Sequence, residues 1–190
     1  MLKNLLSKGE NKNDFSYFFV IILTFFIIFQ IFNSYYLVVQ VDGSSMKNTL
    51  KDGDVLLVTK NYEIERGDVI VFDKTYSKLI KRVIAVEGDQ IYCENGVVYL
   101  KKAGETDFSE LTESYARGVT FNFNLVSVES GYVFVLGDNR EVSQDSRAFG
   151  CVPLLDVNGE VTSFTIKNKS VITFLLGWSF DLNKFFGGNL

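Results

Sequence analysis

The chain has 190 residues, which is enough for one hydrophobic core and an appendage but short for two full domains. Its formal net charge is −4 and it contains no histidine. This composition excludes the basic surface that nucleic acid requires and the Cys/His ligand sets of many metal sites, so we expect no nucleic-acid partner, no metal and no other cofactor.

The first element in chain order is a long apolar run. From Phe15 to Phe32 no side chain is charged, and the apolar character continues through Val39. At 1.5 Å per residue, roughly 20 such residues cross a hydrocarbon core of about 30 Å. The run is longer than the apolar part of a signal peptide and no small-x-small site follows it. We therefore expect an uncleaved transmembrane helix.

The residues before this run set the expected topology. They include Lys3, Lys8 and Lys12, and the positive-inside tendency places such a flank in the cytoplasm. The chain is thus predicted to divide into a cytoplasmic tail at 1–14, an anchor helix at 15–36 and an extracytoplasmic domain at 37–190. We expect a single-pass protein of the cell membrane, in contact with lipid, with its domain on the outer face.

The remainder of the chain has the pattern of a mainly β domain. Short β-branched segments separated by Gly/Asp turns predict strands. These strands are expected at residues 55–60, 69–72, 79–86 and 132–137. Within 91–100, Asn95-Gly96 predicts a tight hairpin turn between two further strands. The polar stretch 101–118 is predicted to be a loop, with room for a short helix.

Two features leave alternatives open. The apolar, aromatic segment 170–186 is interrupted by Gly177 and Asp181, and its continuous apolar part is too short to span a membrane. It predicts a buried strand or, alternatively, an aromatic surface that dips into the membrane interface. Cys93 and Cys151 are either two core thiols or one disulfide.

The stretch VDGSSMKNTL, Val41 to Leu50, places two serines beside a glycine in a segment typical of a tight loop. A serine nucleophile needs a base, and without histidine a lysine can serve if desolvation keeps it neutral. Because free lysine titrates near pH 10.4, burial must lower its pKa by roughly 3–5 units. Lys81 lies in the most apolar strand, and strand alternation predicts that Arg82 faces the other side. Composition and spacing alone do not decide whether Lys81 is a base or a rim residue.

Four segments, in order, resemble those of bacterial type I signal peptidases, the membrane-bound Ser/Lys endopeptidases that remove signal peptides from exported proteins. They are the nucleophile loop GSSMKNTL, the strand RGDVIVF, the general-base strand IKRVIAVEGD and the closing motif GDNREVSQDSRAFG. The resemblance implies a LexA/signal-peptidase-like β fold tethered by one N-terminal transmembrane helix. It also implies that the substrates are signal peptides of exported preproteins, cut after a small-x-small site of the Ala-x-Ala kind close to the secretion translocon.

The resemblance also implies roles for individual positions. Ser45 is the nucleophile and Lys81 the general base, while Ser44 is a variable loop position. The backbone N–H of Ser45 and position Gly43 match the oxyanion site, and Ser143 matches the hydroxyl that orients the lysine. The charged residues that match bracing positions are Asp138, Asp145, Arg82 and Arg147. The candidate walls of the substrate pocket, chosen because they neighbour the catalytic residues in sequence, are Val41, Met46, Leu79 and Ile80.

The chain departs from the family pattern at two loop positions, where Asn48 and Glu87 stand in place of prolines. These changes concern loop rigidity and leave the chemistry intact. A LexA-like self-cleaving regulator is one alternative, but Ala103-Gly104, which it could cut, follows both catalytic candidates, and nothing resembles a helix-turn-helix. A membrane-tethered, non-enzymatic β module is the other alternative, in which both catalytic candidates are incidental.

Overall fold

The computed structural model describes the backbone of residues 12–186 and the side-chain surroundings of residues 16–177. The helices are α1 (Lys12–Tyr35), α2 (Ser146–Phe149) and α3 (Ser163–Phe186), with a 3-10 helix at Leu154–Asp156. The strands are β1 (Tyr36–Gln40), β2 (Val55–Thr59), β3 (Val69–Lys74), β4 (Ser77–Ala85), β5 (Gln90–Glu94), β6 (Val97–Lys101), β7 (Ser109–Glu110), β8 (Phe123–Ser127), β9 (Tyr132–Leu136), β10 (Val152–Pro153) and β11 (Val157–Val161). The chain forms two compact units, Met1–Tyr36 and Leu37–Leu190.

Helix α1 is the apolar element of the first unit. Its segment Ser16–Tyr35 has a mean hydropathy of 2.1, and none of that window is buried within the protein. A helix that is apolar on every side is stable only in an apolar environment. Its length and composition suffice to cross a membrane, and among the described residues no other helix meets that test. The segment Ser16–Tyr35 falls within 15–36, where the anchor is predicted. Most of the predicted tail at 1–14 lies outside the described residues.

The second unit is mainly β, as predicted. One sheet has seven strands in the order β1-β2-β11-β3-β4-β9-β10, and a second has four in the order β7-β6-β5-β8. The predicted strands correspond to β2, β3, β4 and β9, and the predicted hairpin is β5–β6. Its turn residues Asn95 and Gly96 have φ of +52° and +83°, as a tight two-residue hairpin turn requires. The polar stretch 101–118 contains β7 and turns, and no helix is present there.

Strand β11 was missed because Asn158-Gly159 has the composition of a turn. In the structure Gly159 lies inside the sheet, between β2 and β3. A Cβ atom at this position would lie 2.4 Å from the carbonyl oxygen of Thr59. Gly159 therefore permits the close approach of two strand backbones and does not mark a chain reversal.

The prediction of a buried strand in 170–186 is wrong, because this segment belongs to α3. Helix α3 continues from β11 along the part of the β2 edge that β11 leaves unpaired. There the Thr165 hydroxyl donates to the Leu57 carbonyl at 2.9 Å, and the Val55 N–H donates to Thr173 Oγ1 at 2.8 Å. Threonine hydroxyls thus satisfy a strand edge that a further strand would otherwise pair.

The two cysteines are both free thiols. Cys93 is buried in the core cluster beneath the four-stranded sheet, and Cys151 packs against the same cluster. Of the two alternatives, the structure therefore has the pair of core thiols.

Candidate active site

Ser45 lies in the loop between β1 and β2, and buried side chains fix the loop just after it. Met46 and Leu50 are 1% and 0% exposed and belong to one core cluster. Turn hydrogen bonds close the loop, from the Lys47 N–H to the Ser44 carbonyl at 3.0 Å and from the Leu50 N–H to the Met46 carbonyl at 2.9 Å. The serine is therefore presented by a loop whose following turn is anchored in the core.

Lys81 projects from β4 to the same place. It lies opposite Ile70 of β3, and only 3% of it is exposed. Its Nζ is 2.7 Å from Ser45 Oγ and 3.1 Å from the Ile80 carbonyl oxygen. The two side chains predicted to form a dyad are 36 residues apart in sequence and lie within hydrogen-bond reach, the geometry expected of a nucleophile and its base.

The surroundings of Lys81 favour its neutral form. Burial lowers the pKa of Lys81 from its ordinary value of 10.5 to about 8, although the carboxylates of Asp145 and Asp138 act in the opposite direction. Removal from water disfavours an ammonium ion, whereas nearby anions favour it. With a pKa near 8, an appreciable fraction of the side chain is unprotonated at neutral pH and can accept a proton from the serine.

Arg82, the next residue on β4, contacts a different set of groups. Its guanidinium donates to both carboxylate oxygens of Asp138 at 2.9 and 2.7 Å and to the Gly67 carbonyl at 2.7 Å. The ring of Tyr115 stacks on it, with 4.0 Å between the guanidinium carbon and the ring centroid. Asp138 also accepts a hydrogen bond from the Thr49 hydroxyl. The acidic partner of the buried arginine is thus Asp138.

Asp145 and Arg147 organise the closing motif. Asp145 is fully buried, caps α2 and accepts hydrogen bonds from the Gly137 N–H at 3.0 Å and from Arg147 Nε at 2.7 Å. The Arg147 guanidinium also donates to the Arg140 carbonyl at 2.7 Å. This ion pair therefore links the two ends of the motif.

The closing motif also holds the nucleophile loop. The Asn139 N–H donates to the Ser45 carbonyl at 2.9 Å, and its side-chain amide donates to the Ser44 carbonyl at 3.0 Å. Gly137 has no room for a side chain, since a Cβ would lie 2.2 Å from Ser143 Oγ and 2.6 Å from the Ser45 carbonyl oxygen. The two segments thus pack backbone against backbone, which requires glycine at this position.

Two residues predicted to assist the dyad have notable surroundings. Ser143 Oγ is buried and, among the described residues, has no hydrogen-bond partner, so a bond to Lys81 is not formed here. Gly43 has a φ of +93°, and its N–H donates to Asp52 Oδ1 at 2.8 Å. That donor is engaged, whereas no acceptor within the described part of the chain bonds the N–H of Ser45.

A cleft opens beside the dyad. Its volume is about 100 Å³, and Ser45 and Lys81 both line it. All four predicted pocket residues line the same cleft, together with residues at the end of β1 and the start of β4; they are Val41, Met46, Leu79 and Ile80. Within the described residues no group of three or more potential metal ligands occurs.

Sequence reasoning missed a second buried ion pair next to the site. Arg140 is 1% exposed and forms two hydrogen bonds to Glu113, one of them at 2.6 Å, while the Tyr115 hydroxyl donates to the same carboxylate at 3.0 Å. Asn48 is also connected to this region, because its side-chain amide donates to the Tyr115 carbonyl at 2.8 Å. Arg140 lies within the recognised closing motif, but the polar stretch that holds Glu113 and Tyr115 has no periodicity that signals a buried role.

Several known proteins are similar to this chain in sequence. Signal peptidase I of Bacillus caldolyticus is 38% identical over 135 residues, which cover 64% of this chain and 74% of that protein. Signal peptidase I of Bacillus amyloliquefaciens is 42% identical over 118 residues, or 56% of this chain and 61% of that protein. Signal peptidase IB of Staphylococcus aureus is 33% identical over 140 residues, or 64% of this chain and 73% of that protein.

Among solved structures, a signal peptidase I from Enterococcus faecalis V583 matches with a TM-score of 0.46 and 27% identity, over 53% of this chain and 98% of that one. The family model described as signal peptidase, peptidase S26, matches residues 13–166. That match includes the nucleophile loop, β4 and the closing motif. The chain therefore belongs to the signal peptidase family, peptidase S26.

Proposed function

We propose that this protein is a membrane-bound Ser/Lys endopeptidase that removes N-terminal signal peptides from exported preproteins. The observation that carries the proposal is the 2.7 Å distance between Ser45 Oγ and the Nζ of a lysine that is 3% exposed, in a chain that has no histidine. A buried lysine beside a serine is the arrangement that activates the hydroxyl without an imidazole. Membership in the signal peptidase family supports the same reaction.

The proposed reaction has two steps that use the same lysine. In the first step neutral Lys81 takes the proton from Ser45 Oγ as this oxygen attacks the scissile carbonyl carbon. The C–N bond then breaks, the ammonium of Lys81 protonates the leaving amine, and an ester to Ser45 remains. In the second step Lys81 takes a proton from a water molecule that attacks the ester, and it returns this proton to Ser45 as the acid product leaves.

The negative charge on the carbonyl oxygen must be stabilised by hydrogen-bond donors. We propose the backbone N–H of Ser45 as one donor, since no described residue accepts from it. The N–H of Gly43 becomes available only if it exchanges its bond with Asp52, which measures 2.8 Å. A second donor is therefore supplied either by that exchange or by a bound water molecule.

The substrate is proposed to bind as an extended strand. Pairing between β4 and β9 begins at Arg82, so the edge of residues 77–81 that faces away from β3 has no strand partner among the described residues. Strand β1 is likewise the last strand at its end of the sheet, and its final residues line the same cleft. Exposed strand edges of this kind bind peptides by adding a strand, and side-chain pockets then select the sequence.

The proposed cleavage-site preference follows from the small size of the cleft. A volume of about 100 Å³ walled by buried Val41 and Met46 and by half-buried Leu79 and Ile80 accepts a small side chain. Larger side chains are rejected because they clash with these walls. Since side chains alternate along an extended peptide, small residues are expected at the first and third positions before the cut.

Helix α1 is proposed to anchor the enzyme in the cell membrane, with the N-terminus in the cytoplasm and residues 37–190 on the outer face. An exported preprotein is held in the bilayer by its apolar signal segment, whose end emerges at that face. A tethered peptidase therefore meets its substrate at a raised local concentration and close to the secretion translocon.

The proposal is tested by mass spectrometry of a preprotein with an Ala-x-Ala site after incubation with the detergent-purified full chain. The expected result is one cut after that site, lost in Ser45→Ala and in Lys81→Met. Ser44→Ala is the matched control and should retain activity, because its hydroxyl has no assigned role. Cutting that survives Ser45→Ala, or a folded wild type that does not cut, contradicts the proposal and favours a non-enzymatic module.

A further inference from the structure

Strand β8 presents a backbone edge that has no strand partner among the described residues. It lies at one end of the four-stranded sheet and pairs with β5 only. The other end strands of the two sheets differ from it, since β7 and β10 have two residues each and the last residues of β1 line the proposed substrate cleft. In the part of the chain that the structure describes, β8 is thus the one edge strand of five residues that the proposed reaction leaves unused.

The composition of this edge favours pairing with another extended chain. Residues 119–127, VTFNFNLVS, include no charged side chain and no proline. Strand edges that face solvent usually carry lysine, proline or other features that prevent pairing. Here Val119, Phe121 and Leu125 are instead 58%, 62% and 56% exposed. We call residues 119–127 the β8 rim.

A hollow beside the β8 rim has room for a side chain of such a partner. Its volume is about 390 Å³. Its lining includes Tyr92 and Glu94 from β5 and Asn122, Phe123 and Asn124 from the β8 rim. When a peptide adds to a strand edge, backbone hydrogen bonds provide affinity for chains of varied sequence, and pockets for alternate side chains add selectivity. The β8 rim therefore suits an extended polypeptide.

The β8 rim begins close to the nucleophile. Arg117, two residues before the rim, forms a parallel bridge with Asn139. The Asn139 N–H in turn donates to the Ser45 carbonyl at 2.9 Å. Since a chain spans at most about 3.6 Å per residue, exposed Phe121 lies within about 14 Å of Arg117, and Leu125 within about 29 Å. A polypeptide bound at Ser45 therefore reaches the β8 rim within roughly ten residues.

The polypeptide that is present at Ser45 under the proposed function is the preprotein. Its residues before the cut are proposed to pair with β4 and β1, which leaves the residues after the cut, here called the mature segment, without an assigned contact. The mature segment continues an extended strand, and the uncharged rim repels neither acidic nor basic sequences. We infer that the mature segment adds to the β8 rim as a further strand and is held there during cleavage. The inference rests on the proposed function.

The test compares two preprotein substrates that share one signal peptide and one Ala-x-Ala site. The long substrate keeps about 30 residues after the cut, and the short one ends about two residues after it, which is too short to form a strand. The detergent-purified full chain should cleave both, with a KM about tenfold lower for the long substrate, because a second linked contact adds to substrate binding. The kcat should be similar for both, since the β8 rim includes neither Ser45 nor Lys81.

Variants of the β8 rim locate the contact. Phe121→Glu and Leu125→Glu each introduce a carboxylate that loses its water when a strand adds beside it. Each should raise the KM for the long substrate by roughly tenfold, to the value of the short one, and leave the kinetics with the short substrate unchanged. Leu155→Glu is the matched control, because Leu155 is 98% exposed and belongs to the 3-10 helix Leu154–Asp156, outside the rim. It should leave both KM values at those of the wild type.

A photo-cross-link gives the position of the mature segment directly. Benzoylphenylalanine is placed at position 125 in the Ser45→Ala background, which lacks the proposed nucleophile, and the protein is irradiated with the long substrate. The adduct should map to within roughly twelve residues after the cut, given the length of chain from Arg117 to Leu125. An adduct with a second copy of this chain, or with residues before the cut, overturns the inference.

The kinetic outcomes separate this inference from the proposed function. Equal KM values for the long and short substrates overturn the inference and leave the endopeptidase in place. A rise in KM for both substrates in the rim variants also overturns it, because the carboxylate then disturbs the cleft or the fold. A folded wild type that cuts neither substrate overturns the proposed function and this inference together.

Discussion

Replacement of Lys81 by methionine should abolish cleavage and, at neutral pH, make the protein more stable. Methionine keeps the unbranched apolar stem and removes the buried amine. Burial lowers the pKa of Lys81 from 10.5 to about 8 in the folded protein. Each pKa unit corresponds to 1.36 kcal/mol, so the folded state loses about 3 kcal/mol when it must hold this side chain protonated.

The sign of the pH dependence follows from the direction of the shift. Below pH 8 the lysine is protonated in both the folded and the unfolded protein, and the full penalty applies to the wild type. Between pH 8 and 10.5 the folded protein releases its proton first, so the penalty shrinks as pH rises; above 10.5 it is gone. The variant's advantage should therefore be largest near pH 7 and close to zero at high pH.

The measurement is thermal unfolding in detergent of Lys81→Met and of the parent chain, both in a Ser45→Ala background that lacks the proposed nucleophile. About 3 kcal/mol corresponds to a rise in Tm of roughly 6–12 °C for a domain of this size. Lys102→Met is the control, since Lys102 is half exposed and forms only a loose surface pair with Glu105 at 3.7 Å. It should change the Tm little at any pH.

A variant no more stable than wild type at pH 7, or a gain that stays constant up to high pH, would refute the reasoning that Lys81 is a desolvated amine. The same pKa should appear in catalysis. With Lys81 as general base, kcat/KM should rise with pH and level off near pH 8. If the rise of kcat/KM with pH is centred far from pH 8, a group other than Lys81 controls the reaction.

Other predictions concern groups around the dyad. Ser143→Ala should lower kcat by roughly 10–100-fold without destabilising the fold, because its hydroxyl lacks a described partner and is proposed only to orient the lysine. Ser146→Ala is its control, because the Ser146 hydroxyl accepts a hydrogen bond from the Val135 N–H of β9 at 2.9 Å. This variant should lower the free energy of unfolding by about 1 kcal/mol and leave the pH–rate profile unchanged. Gly137→Ala should destabilise by roughly 1–3 kcal/mol and displace the nucleophile loop, visible as a lower rate of acylation of the serine. Asn48→Ala should lower the free energy of unfolding by about 1 kcal/mol, because the hydrogen bond from Asn48 to the Tyr115 carbonyl is lost. The stretch around Tyr115 should then be cut faster in limited proteolysis, and protease resistance equal to that of the wild type would contradict a role for this hydrogen bond.

Much of the β body could be predicted from sequence because its strands have strong local signals. Strands β2, β3, β4 and β9 are rich in β-branched residues, and each has a Gly/Asp turn at one end. Strand β11 was not predicted because Gly159 is required by the close approach of two strand backbones, a tertiary contact that composition does not reveal. Helix α3 was not predicted because apolar residues fall both on its buried side, such as Ile172, and on its exposed side, such as Phe174, which hides the helical period.

The site shows the same division between local and long-range information. The apolar neighbours of Lys81 predict its burial, but Ser45, which its Nζ approaches to 2.7 Å, is 36 residues away. Only the order of four family motifs connected the two. No motif indicated the Glu113–Arg140 ion pair, because Glu113 lies in a polar stretch whose composition is typical of a surface loop.

The arginines around the site explain how a lysine next to two carboxylates can have a lowered pKa. Asp138 and Asp145 both favour the charged form of Lys81 and raise its pKa, and free carboxylates would raise it further. Each is instead bonded to a guanidinium, Asp138 to Arg82 at 2.7 Å and Asp145 to Arg147 at 2.7 Å. The lysine therefore faces two ion pairs, whose fields fall off faster than those of two anions. Burial then outweighs the attraction of the carboxylates, and the pKa of Lys81 stays below its ordinary value, at about 8.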